Sequence, residues 1–527
     1  MVDYAPTDLN VNSSRNRKRL WHIMSNSSQS LTELLCELRE LGVRLWVDVN
    51  GLRCDAPKGS MSADLVQRLK ANKREITRLL RTGRIEQADW QDDAILTAGI
   101  APSDLQTAHK ARDAKAILLT GSTGFLGAFL LAELVKQTAA KIYCLVRVEQ
   151  GDSQSSVHDQ SWRRIQDALR EFGIWDDDFT DRIVVVPGDL RALRLGIDAA
   201  QYRQMVSEID AVLHNGALVH HGLPYTSLKS TNVEGTREAI VMACEANARF
   251  HFVSSLSVLP PTVVGDRSTF YEAEALDQIP PPQGGYNLSK WVSERLVEQA
   301  AERRLRVTVF RPGPICGDSR TGIFNENDFL CRLMQGYLVS GIAPEGELPI
   351  DVLPVDYVAK AIVWLVRARD RGDSTVDFFQ RYHLIHPQPV SSNTLFEACR
   401  NEGHDIKRVH YDVWFEHLVN IAKNGDLSHP LYPLVSLFSS RRYSETVQAE
   451  GSIPFDTTAA QTALRHAPFS LPILDVSLFQ RYLSQLSRAS DLGIAATPLL
   501  LGAQKTQAVA LDRDQAKACR STTEDRS

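Results

Sequence analysis

The sequence predicts an α/β fold whose main domain is a doubly wound parallel sheet. From about residue 115 to about residue 370, short apolar runs that suit buried parallel strands alternate with helical patterns. A glycine-rich segment follows the first of these runs, at the kind of strand-to-helix junction where such sheets bind ligands. A smaller unit with its own helix and hairpin patterns precedes this domain.

Composition restricts the class of protein before any motif is considered. The chain has 527 residues, 43% of them hydrophobic and 23% charged, so it is globular and long enough for several domains. Its formal charge of −5 offers no field for binding a polyanion such as nucleic acid. The cysteines show no metal-binding spacing, and no apolar stretch has the length of a transmembrane helix or a signal-peptide core. We therefore expect a soluble, cytoplasmic protein without a metal.

The small unit at residues 28–82 shows the order helix, hairpin, helix, helix. Leucines recur at helical spacing from Leu31 to Leu41, and Asn50-Gly51 predicts a two-residue hairpin turn. Ser62 is a suitable N-cap for the helix that follows.

This unit resembles the TubC-type docking domains found at the start of subunits in nonribosomal peptide and polyketide assembly lines. The resemblance is carried by Leu-Leu-Cys-Glu-Leu-Arg (34–39), Gly-Val-Arg-Leu-Trp-Val (42–47) and Ala-Pro-Lys-Gly (56–59). It implies that the hairpin edge receives a terminal peptide of the preceding synthase subunit. The alternative is a self-contained cap that packs on the next domain.

The remaining boundaries follow from changes in composition. Residues 1–27 and 489–527 are expected to be a disordered lead and tail, and residues 83–114 a linker. The dinucleotide-binding type of sheet is assigned to 115–375. Residues 376–488, with contributions from 315–350, are assigned to a smaller substrate lobe that includes helical stretches at Phe329–Tyr337, Leu395–Arg400 and Val476–Leu486.

The segment Thr-Gly-Ser-Thr-Gly-Phe-Leu-Gly (120–127) follows the apolar run at 116–120 and opens a leucine-rich helix. Gly121 permits a tight turn, Gly124 lets the backbone approach a pyrophosphate, and Gly127 lets the helix pack on the sheet. The helix N-terminus favours phosphate groups. A plain tight turn is the less favoured alternative. The candidate cofactor-binding residues of this loop are Thr120, Gly121, Thr123, Gly124, Phe125, Leu126 and Gly127.

The end of the second strand, at 141–146, distinguishes NAD from NADP. An acidic residue there would accept the ribose 2′-hydroxyl, but the sequence has Arg147, whose guanidinium suits a 2′-phosphate. We therefore predict NADPH as the cofactor. Arg164, in the helical run at 162–170, is either a second contact to that phosphate or an ordinary exposed arginine.

Two later strand ends supply further candidates on the ligand side of the sheet. Asp189 and Leu190 follow the apolar run at 183–186, and Asp189 is a candidate hydrogen-bond partner of the adenine. Asn215, Gly216 and Ala217 follow the run at 211–213 and are candidates to line the cofactor with backbone. Turn formation is the alternative role for both sets.

Tyr286 and Lys290 stand at i and i+4, so a helix places them on one face. A strand ending in hydroxyls, at 252–258, precedes them by about 30 residues. With the glycine loop, this set resembles the Ser-Tyr-Lys triad of the extended short-chain dehydrogenase/reductase superfamily, with Ser255 as the serine. The resemblance implies that Tyr286 is a general acid toward a carbonyl oxygen, that Lys290 stabilises its phenolate, and that Ser255 donates a second hydrogen bond.

The same resemblance places Asn232 and Pro312 near the cofactor, with helix-end hydrogen bonding as the alternative for Asn232. Within the superfamily, the chain is similar to thioester reductase domains. The matching segments are Thr-Gly-Ser-Thr-Gly-Phe-Leu-Gly (120–127), Cys-Leu-Val-Arg (144–147), Leu-Pro-Tyr (223–225), Thr-Asn-Val-Glu-Gly-Thr (231–236), Phe-Arg-Pro-Gly-Pro-Ile (310–315) and Leu-Pro-Val-Asp-Tyr-Val-Ala (353–359). His220-His221 departs from the pattern and is either a metal pair or, in our preferred interpretation, a pair that lies on the surface or supports the site indirectly.

These resemblances imply NADPH-dependent release of an acyl or peptidyl group from the phosphopantetheine of a carrier protein, as an aldehyde or onward to an alcohol. The implied partner is an upstream synthase subunit with its carrier. Two alternatives remain: a related reductase acting on fatty acyl-CoA or a nucleotide sugar, and a non-catalytic protein that binds NADP and docks a partner.

Overall fold

The protein is described here by a computed structural model over part of its chain. The described residues are 34, 43–48, 51–55, 62–73, 76–77, 90–102, 113–148, 154–220, 223–259, 269–326, 328–371, 378–424, 429–438 and 454–491. The lead predicted at 1–27 lies outside them, as does nearly all of the tail predicted at 489–527.

The described strands and helices have the following bounds. The strands are β1 Arg44–Asp48, β2 Gly51–Asp55, β3 Ala116–Thr120, β4 Lys141–Val146, β5 Ile183–Pro187, β6 Ala211–His214, β7 Arg249–Val253, β8 Val307–Pro312, β9 Ile315–Cys316, β10 Ile342–Pro344, β11 Pro349–Ile350, β12 Leu353–Pro354, β13 Phe379–Leu384, β14 Val390–Ser391 and β15 Lys407–Val409. The helices are α1 Ala63–Ala71, α2 Trp90–Asp93, α3 Phe125–Gln137, α4 Gln154–Glu171, α5 Ala199–Glu208, α6 Tyr225–Lys229, α7 Gly235–Glu245, α8 Gly285–Glu302, α9 Phe329–Ser340, α10 Val355–Arg371, α11 Ser392–Asn401, α12 Tyr411–Asn424, α13 Val435–Phe438, α14 Thr458–Leu464 and α15 Val476–Asp491.

The chain divides into two compact units, Met1–Gln485 and Leu486–Ser527. The described part of the second unit is the end of α15. Among the described helices, none combines the length and the apolar character that crossing a bilayer requires.

The first unit begins with the antiparallel hairpin β1–β2. Its register pairs Asp48 with Gly51, so Gly51 is part of β2. The prediction that Gly51 belongs to the turn is therefore wrong, and Asn50 lies outside the described residues. The predicted cap is confirmed, because the Ser62 Oγ accepts a hydrogen bond from Leu65 N at 3.1 Å. The small domain predicted at residues 28–82 has a core formed by Leu34, Val43, Leu65 and Ile76.

Residues 90–102, which we call the strap, are bound to the domain that contains the main sheet, although sequence analysis assigned them to a linker. The Asp93 carboxylate accepts a hydrogen bond from the Tyr225 hydroxyl at 2.8 Å and pairs with Lys229 at 2.5 Å. Gln299 and Arg303, both at the end of α8, bond to backbone groups of the strap. The polar composition of the strap therefore reflects hydrogen bonding to helices distant in sequence, and composition alone could not show this.

The main sheet has seven parallel strands in the order β13-β8-β7-β6-β3-β4-β5. The chain moves outward from β3 in one direction through β4 and β5, and in the other through β6, β7 and β8. The crevice between β3 and β6 is thus the topological switch point, where sheets of this kind bind ligands. The predicted doubly wound α/β fold is confirmed.

Helices cover both faces of this sheet. Alternate residues of β3 enter opposite cores: Leu118 packs with helices α5, α7 and α8, whereas Ile117 and Leu119 pack with α3, α4 and α10. All five residues of β3 are buried, as a central parallel strand requires.

The smaller lobe has its own core, in which Tyr337, Phe396 and Trp414 pack together. The three helices predicted in this region occur as α9, α11 and α15. The predicted boundary at 375 does not hold, because β13 pairs along its whole length with β8 and belongs to the main sheet. Helix α14 also returns to that sheet, where the Trp364 indole donates to Ala463 O. A strand at the end of a sheet is specified by distant partners and carries no local signal of its domain.

The loop between β3 and α3 is shaped by two close backbone approaches. Gly121 has a φ of +72°, and a Cβ there would lie 2.7 Å from Gly216 Cα. A Cβ at Gly127 would lie 1.8 Å from the Gly121 oxygen. By contrast, a Cβ at Gly124 would meet only the Gly121 oxygen, at 3.5 Å, an ordinary contact. Gly121 and Gly127 are therefore required by the protein itself, whereas the space beside Gly124 is open.

We predict opposite effects of two alanine substitutions in this loop. Gly127→Ala forces backbone apart and should lower the free energy of unfolding by about 3 kcal/mol, as overpacking does. Gly124→Ala has room and an ordinary φ, and should leave stability within about 0.5 kcal/mol of the wild type. Thermal and urea unfolding measure both. Equal destabilisation by the two substitutions would contradict this account of the loop.

Candidate active site

The carboxyl ends of β3, β4, β5 and β6 bring the predicted cofactor-binding residues to one edge of the sheet. Thr123, Phe125 and Leu126 are half-buried at the start of α3, and Gly124 is exposed. The Leu190 side chain and Gly216 lie side by side, since a Cβ on the glycine would be 2.8 Å from Leu190 Cδ1. Half-buried Ala217 follows. This edge holds the open space beside Gly124 and the N-terminus of a 13-residue helix, which together suit a pyrophosphate.

A buried histidine that sequence analysis did not select links this loop to the next helix. The Thr120 hydroxyl accepts from Gly216 N at 2.9 Å and lies 2.8 Å from His214 Nδ1. His214 Nε2 lies 3.1 Å from the Thr236 hydroxyl, which itself donates to Asn232 O at 2.6 Å. Because the Thr236 hydroxyl proton is donated to Asn232 O, His214 Nε2 donates to the Thr236 oxygen. His214 Nδ1 therefore accepts the proton of the Thr120 hydroxyl. Burial, with the Lys290 charge, lowers the pKa of His214 to about 3, so the ring is neutral.

Two arginines meet where the second strand ends. The Arg164 guanidinium, on α4, donates to the backbone oxygen of Arg147. Burial and the charge of Arg147 lower the pKa of Arg164, so the two cations are close enough to repel each other. Adjacent guanidinium groups of this kind suit a phosphate dianion.

Asp189 is engaged with a neighbour that sequence analysis did not consider. Its carboxylate accepts from Arg191 Nη2 at 2.7 Å and from Arg191 Nε at 3.0 Å. Burial raises the pKa of Asp189, but the bonds and charge of Arg191 outweigh it and hold the pKa below its ordinary value. The carboxylate is thus ionised and paired with Arg191. The segment used in the sequence analysis, Asp189 and Leu190, did not include this arginine.

The three candidate catalytic residues lie at the end of β7 and on the first turns of α8. Strand β7 ends at Val253, earlier than predicted, and Ser255 caps a short 3-10 turn at Leu256–Val258. The Ser255 Oγ accepts from Ser257 N at 3.1 Å, which leaves its proton available for donation. Ser254, in contrast, is buried and donates to Glu294 Oε2 at 2.5 Å.

Lys290 is 3% exposed, and its ammonium donates to Val253 O at 2.6 Å. The ammonium also lies 4.3 Å from the centre of the Phe252 ring. Burial lowers the pKa of Lys290 to about 7, although the Glu294 charge opposes this. Burial raises the pKa of Tyr286 to about 12. Tyr286 is therefore a proton donor at neutral pH, one helical turn from a lysine that is held at the strand end.

The start of α8 depends on two glycines that sequence analysis passed over. Gly284 has a φ of +90°, and a Cβ at Gly285 would lie 2.2 Å from Leu223 O. Tyr286 follows directly, so this close approach fixes where its helix begins. The pair Gly-Gly before the tyrosine was the available sequence signal.

Asn232 lies in a single π-helical turn, Ser230–Glu234, between α6 and α7. Its side-chain oxygen accepts from Leu218 N at 2.7 Å, and its amide donates to Leu218 O at 3.1 Å and to the Ser289 hydroxyl at 2.9 Å. It therefore ties the loop after β6 to α8. Pro312 is buried at the end of β8, beside β7.

The histidine pair is only partly described. His220 is half-buried, and His221 lies outside the described residues. No cluster of three or more His, Cys, Asp or Glu side chains suited to a metal occurs within the described ranges.

Comparison with known families identifies both domains. Residues 119–362 match the NAD-binding family described as male sterility protein, and residues 31–82 match the TubC N-terminal docking domain. The edge of the sheet described above therefore belongs to a domain that binds a nicotinamide cofactor.

Curated relatives are much longer than this chain. It is 33% identical over 382 residues to a linear gramicidin synthase protein of Brevibacillus parabrevis, and the match covers 72% of this chain and 7% of that protein. It is 29% identical over 439 residues to the L-2-aminoadipate reductase of Schizosaccharomyces pombe, which covers 80% of this chain and 30% of that protein.

Two solved structures match over nearly their full length. The terminal R domain of the myxalamid PKS-NRPS pathway is 35% identical with a TM-score of 0.66, and the match covers 78% of this chain and 98% of that one. The reductase domain of a nonribosomal peptide synthetase from Mycobacterium tuberculosis is 25% identical with a TM-score of 0.59, covering 76% and 96%. The chain therefore belongs to the extended short-chain dehydrogenase/reductase superfamily. It contains a thioester reductase domain, which is preceded by a TubC-type docking domain.

Proposed function

We propose that the protein releases an acyl or peptidyl group from a carrier-protein thioester by NADPH-dependent reduction, in nonribosomal peptide or polyketide biosynthesis. The observation that carries this proposal is the bond from Lys290 to Val253 O, because it brings the lysine and its neighbour Tyr286 to the strand end that carries Ser255. The family membership and the relatives' names support the substrate class.

In this proposal each member of the triad acts on the thioester carbonyl. The Tyr286 hydroxyl donates its proton to the carbonyl oxygen, and Ser255 donates a second hydrogen bond to the same oxygen. Lys290 stabilises the phenolate that Tyr286 becomes. The bound nicotinamide supplies the hydride. Addition of one hydride and one proton gives a hemithioacetal, and departure of the carrier thiol leaves an aldehyde.

We further propose that Arg147 selects NADPH over NADH, by pairing with the 2′-phosphate. Its position beside Arg164 at the end of β4 supports this choice. The remaining proposed cofactor contacts are Thr120, Gly121, Thr123, Gly124, Phe125, Leu126, Gly127, Arg164, Asp189, Leu190, Asn215, Gly216, Ala217, Asn232, Tyr286, Lys290 and Pro312. The pairing of Asp189 with Arg191 leaves fewer acceptor positions for an adenine than sequence analysis expected.

We also propose that the docking domain recruits the upstream subunit, with its phosphopantetheinylated carrier. The TubC-type match ends at residue 82, and the strap begins at Trp90. The docking domain is therefore attached through a short segment to a point on α8, where Trp90 packs against Trp291 with ring centres 5.2 Å apart.

The first test is NADPH consumption with a panel of acyl-pantetheine thioesters, comparing wild type with Tyr286→Phe. Loss of the general acid should lower kcat by about a hundredfold to ten-thousandfold. NADPH binding, followed by fluorescence, should be retained. A Tyr286→Phe variant that turns over like the wild type contradicts the proposed mechanism, and NADPH binding without turnover on any thioester, carrier-bound thioesters included, favours the non-catalytic alternative.

Cofactor choice is tested at the two arginines. Arg147→Gln removes one charge from the phosphate and should lower kcat/KM for NADPH by about tenfold to a hundredfold, with little change for NADH. Arg164→Gln is the matched variant, and a similar loss there assigns it as the second phosphate contact. An unchanged NADPH preference in Arg147→Gln contradicts the role of that residue.

The docking proposal is tested by two truncations. Removing residues 1–88 leaves the strap intact, so kcat/KM should fall about a hundredfold with the carrier of the preceding subunit but stay unchanged with acyl-pantetheine. Removing residues 1–102 also removes the strap and should impair both substrates. Equal loss on both substrates in the shorter truncation contradicts recruitment by the docking domain.

A further inference from the structure

A buried carboxylate outside the triad contacts the same strand end. Glu294 lies on α8, one turn after Lys290, and is fully buried. Its Oε1 accepts from Arg311 Nε at 2.9 Å and Nη2 at 2.6 Å, and its Oε2 accepts from the Ser254 hydroxyl at 2.5 Å. A buried charge is tolerated only when it is paired and hydrogen-bonded in this way.

The partner arginine is itself fixed. Arg311 Nη1 lies 3.2 Å from His383 Nε2, and His383 Nδ1 lies 2.8 Å from Asp456 O. Because a carbonyl oxygen only accepts, Nδ1 carries the proton and Nε2 accepts from the arginine. Glu294 is thus held in place from β8 and β13, two strands of the main sheet.

The bond to Ser254 has a consequence for Ser255. In extended backbone, consecutive side chains point to opposite sides. Ser254 N also donates to Phe310 O at 2.7 Å. With Ser254 held from both its backbone and its hydroxyl, Ser255 is directed to the opposite side, and this residue is half-buried.

We propose that Glu294 is a positioning residue of the active site, which holds the end of β7 through Ser254 and places a negative charge one turn beyond Lys290. This inference rests on the proposed roles of Ser255, Tyr286 and Lys290. Glu294 itself contacts neither substrate nor cofactor in this account and acts through its neighbours.

The charge of Glu294 has a predictable effect on the lysine. It raises the pKa of Lys290 against the lowering by burial. The other charged and titratable groups around the two residues are His214, Tyr286, Arg311, Arg381 and His383. If Glu294 is made neutral, Arg311 becomes an uncompensated cation, so both changes lower the pKa of Lys290. Because loss of the Lys290 proton is expected to give the alkaline limb of the pH profile of kcat, that limb then moves to lower pH.

The test compares two glutamates of the same helix. Glu298 is 3% exposed, pairs with Arg381 and Arg295, each at 2.5 Å, and accepts from Leu276 N at 2.9 Å, but it lies one turn further from the triad. Glu294→Gln and Glu298→Gln therefore each remove a carboxylate that is almost fully buried and paired with arginine. The substrate is the acyl-pantetheine that the wild type reduces fastest. We expect kcat to fall about a hundredfold in Glu294→Gln, as for a misplaced catalytic group, but not in Glu298→Gln.

The pH profile and the melting temperature separate positioning from stability. Support requires that Glu294→Gln shift the alkaline limb of kcat to lower pH with KM little changed, while Glu298→Gln keeps the wild-type profile. Equal losses of kcat in both variants that follow equal drops in melting temperature would overturn the inference, as would a wild-type profile in Glu294→Gln. A Tyr286→Phe variant with full activity would instead overturn the proposed function.

A second variant covers the case in which Glu294→Gln does not fold. Ser254→Ala leaves the Glu294–Arg311 pair intact and removes only the bond to the strand end. A fall in kcat of about tenfold or more, with the melting temperature unchanged, supports the positioning role. Unchanged kcat in Ser254→Ala overturns it.

Discussion

The proposed active site is organised around the burial of one ammonium group. Lys290 is almost fully removed from water, and an isolated cation in that position would be strongly unfavourable. Its stabilisation comes from the Val253 carbonyl, the face of the Phe252 ring and the charge of Glu294 on the next turn. Each of these partners belongs to the end of β7 or to α8. The need to stabilise the cation therefore fixes this strand end against this helix, and with it the relation of Ser255 to Tyr286.

The cofactor side of the site is joined to the catalytic side by a continuous set of hydrogen bonds. It runs from Gly216 through Thr120, His214 and Thr236 to the backbone of Asn232. The Asn232 side chain and backbone continue it to Ser289 and Ser293 of α8. A neutral histidine is suited to the centre of this set, because it accepts at one nitrogen and donates at the other. A fully satisfied buried network favours one arrangement, so the glycine loop and the catalytic helix keep a single relative position.

Most features that depend on neighbouring residues were predicted, whereas features that depend on distant ones were not. The glycine loop, the strands at 116–120 and 141–146, the cap at Ser62 and the i, i+4 pair Tyr286–Lys290 all have local signals, and the structure has these elements where predicted. The pairing of Asp189 with Arg191 was overlooked because the motif drew attention to the aspartate alone. The strap, the membership of β13 in the main sheet and the Glu294–Arg311 pair join segments far apart in sequence.

The strap changes how the docking domain and the reductase domain are connected. A linker over 83–114 would allow a wide range of separations, but hydrogen bonds to Gln299 and Arg303 fix the chain from Ala94 to Ile100 on α8. From residue 82 to Trp90 the chain spans at most about 28 Å when extended. Trp90 packs on Trp291, the residue after Lys290, so the chain after residue 82 reaches the main domain at α8. If the docking domain recruits a carrier as proposed, this short attachment limits the distance between the docked subunit and α8 and so raises the effective concentration of the carrier there. Weak intrinsic affinity between carrier and reductase is sufficient under that condition, and it also allows the spent carrier to leave.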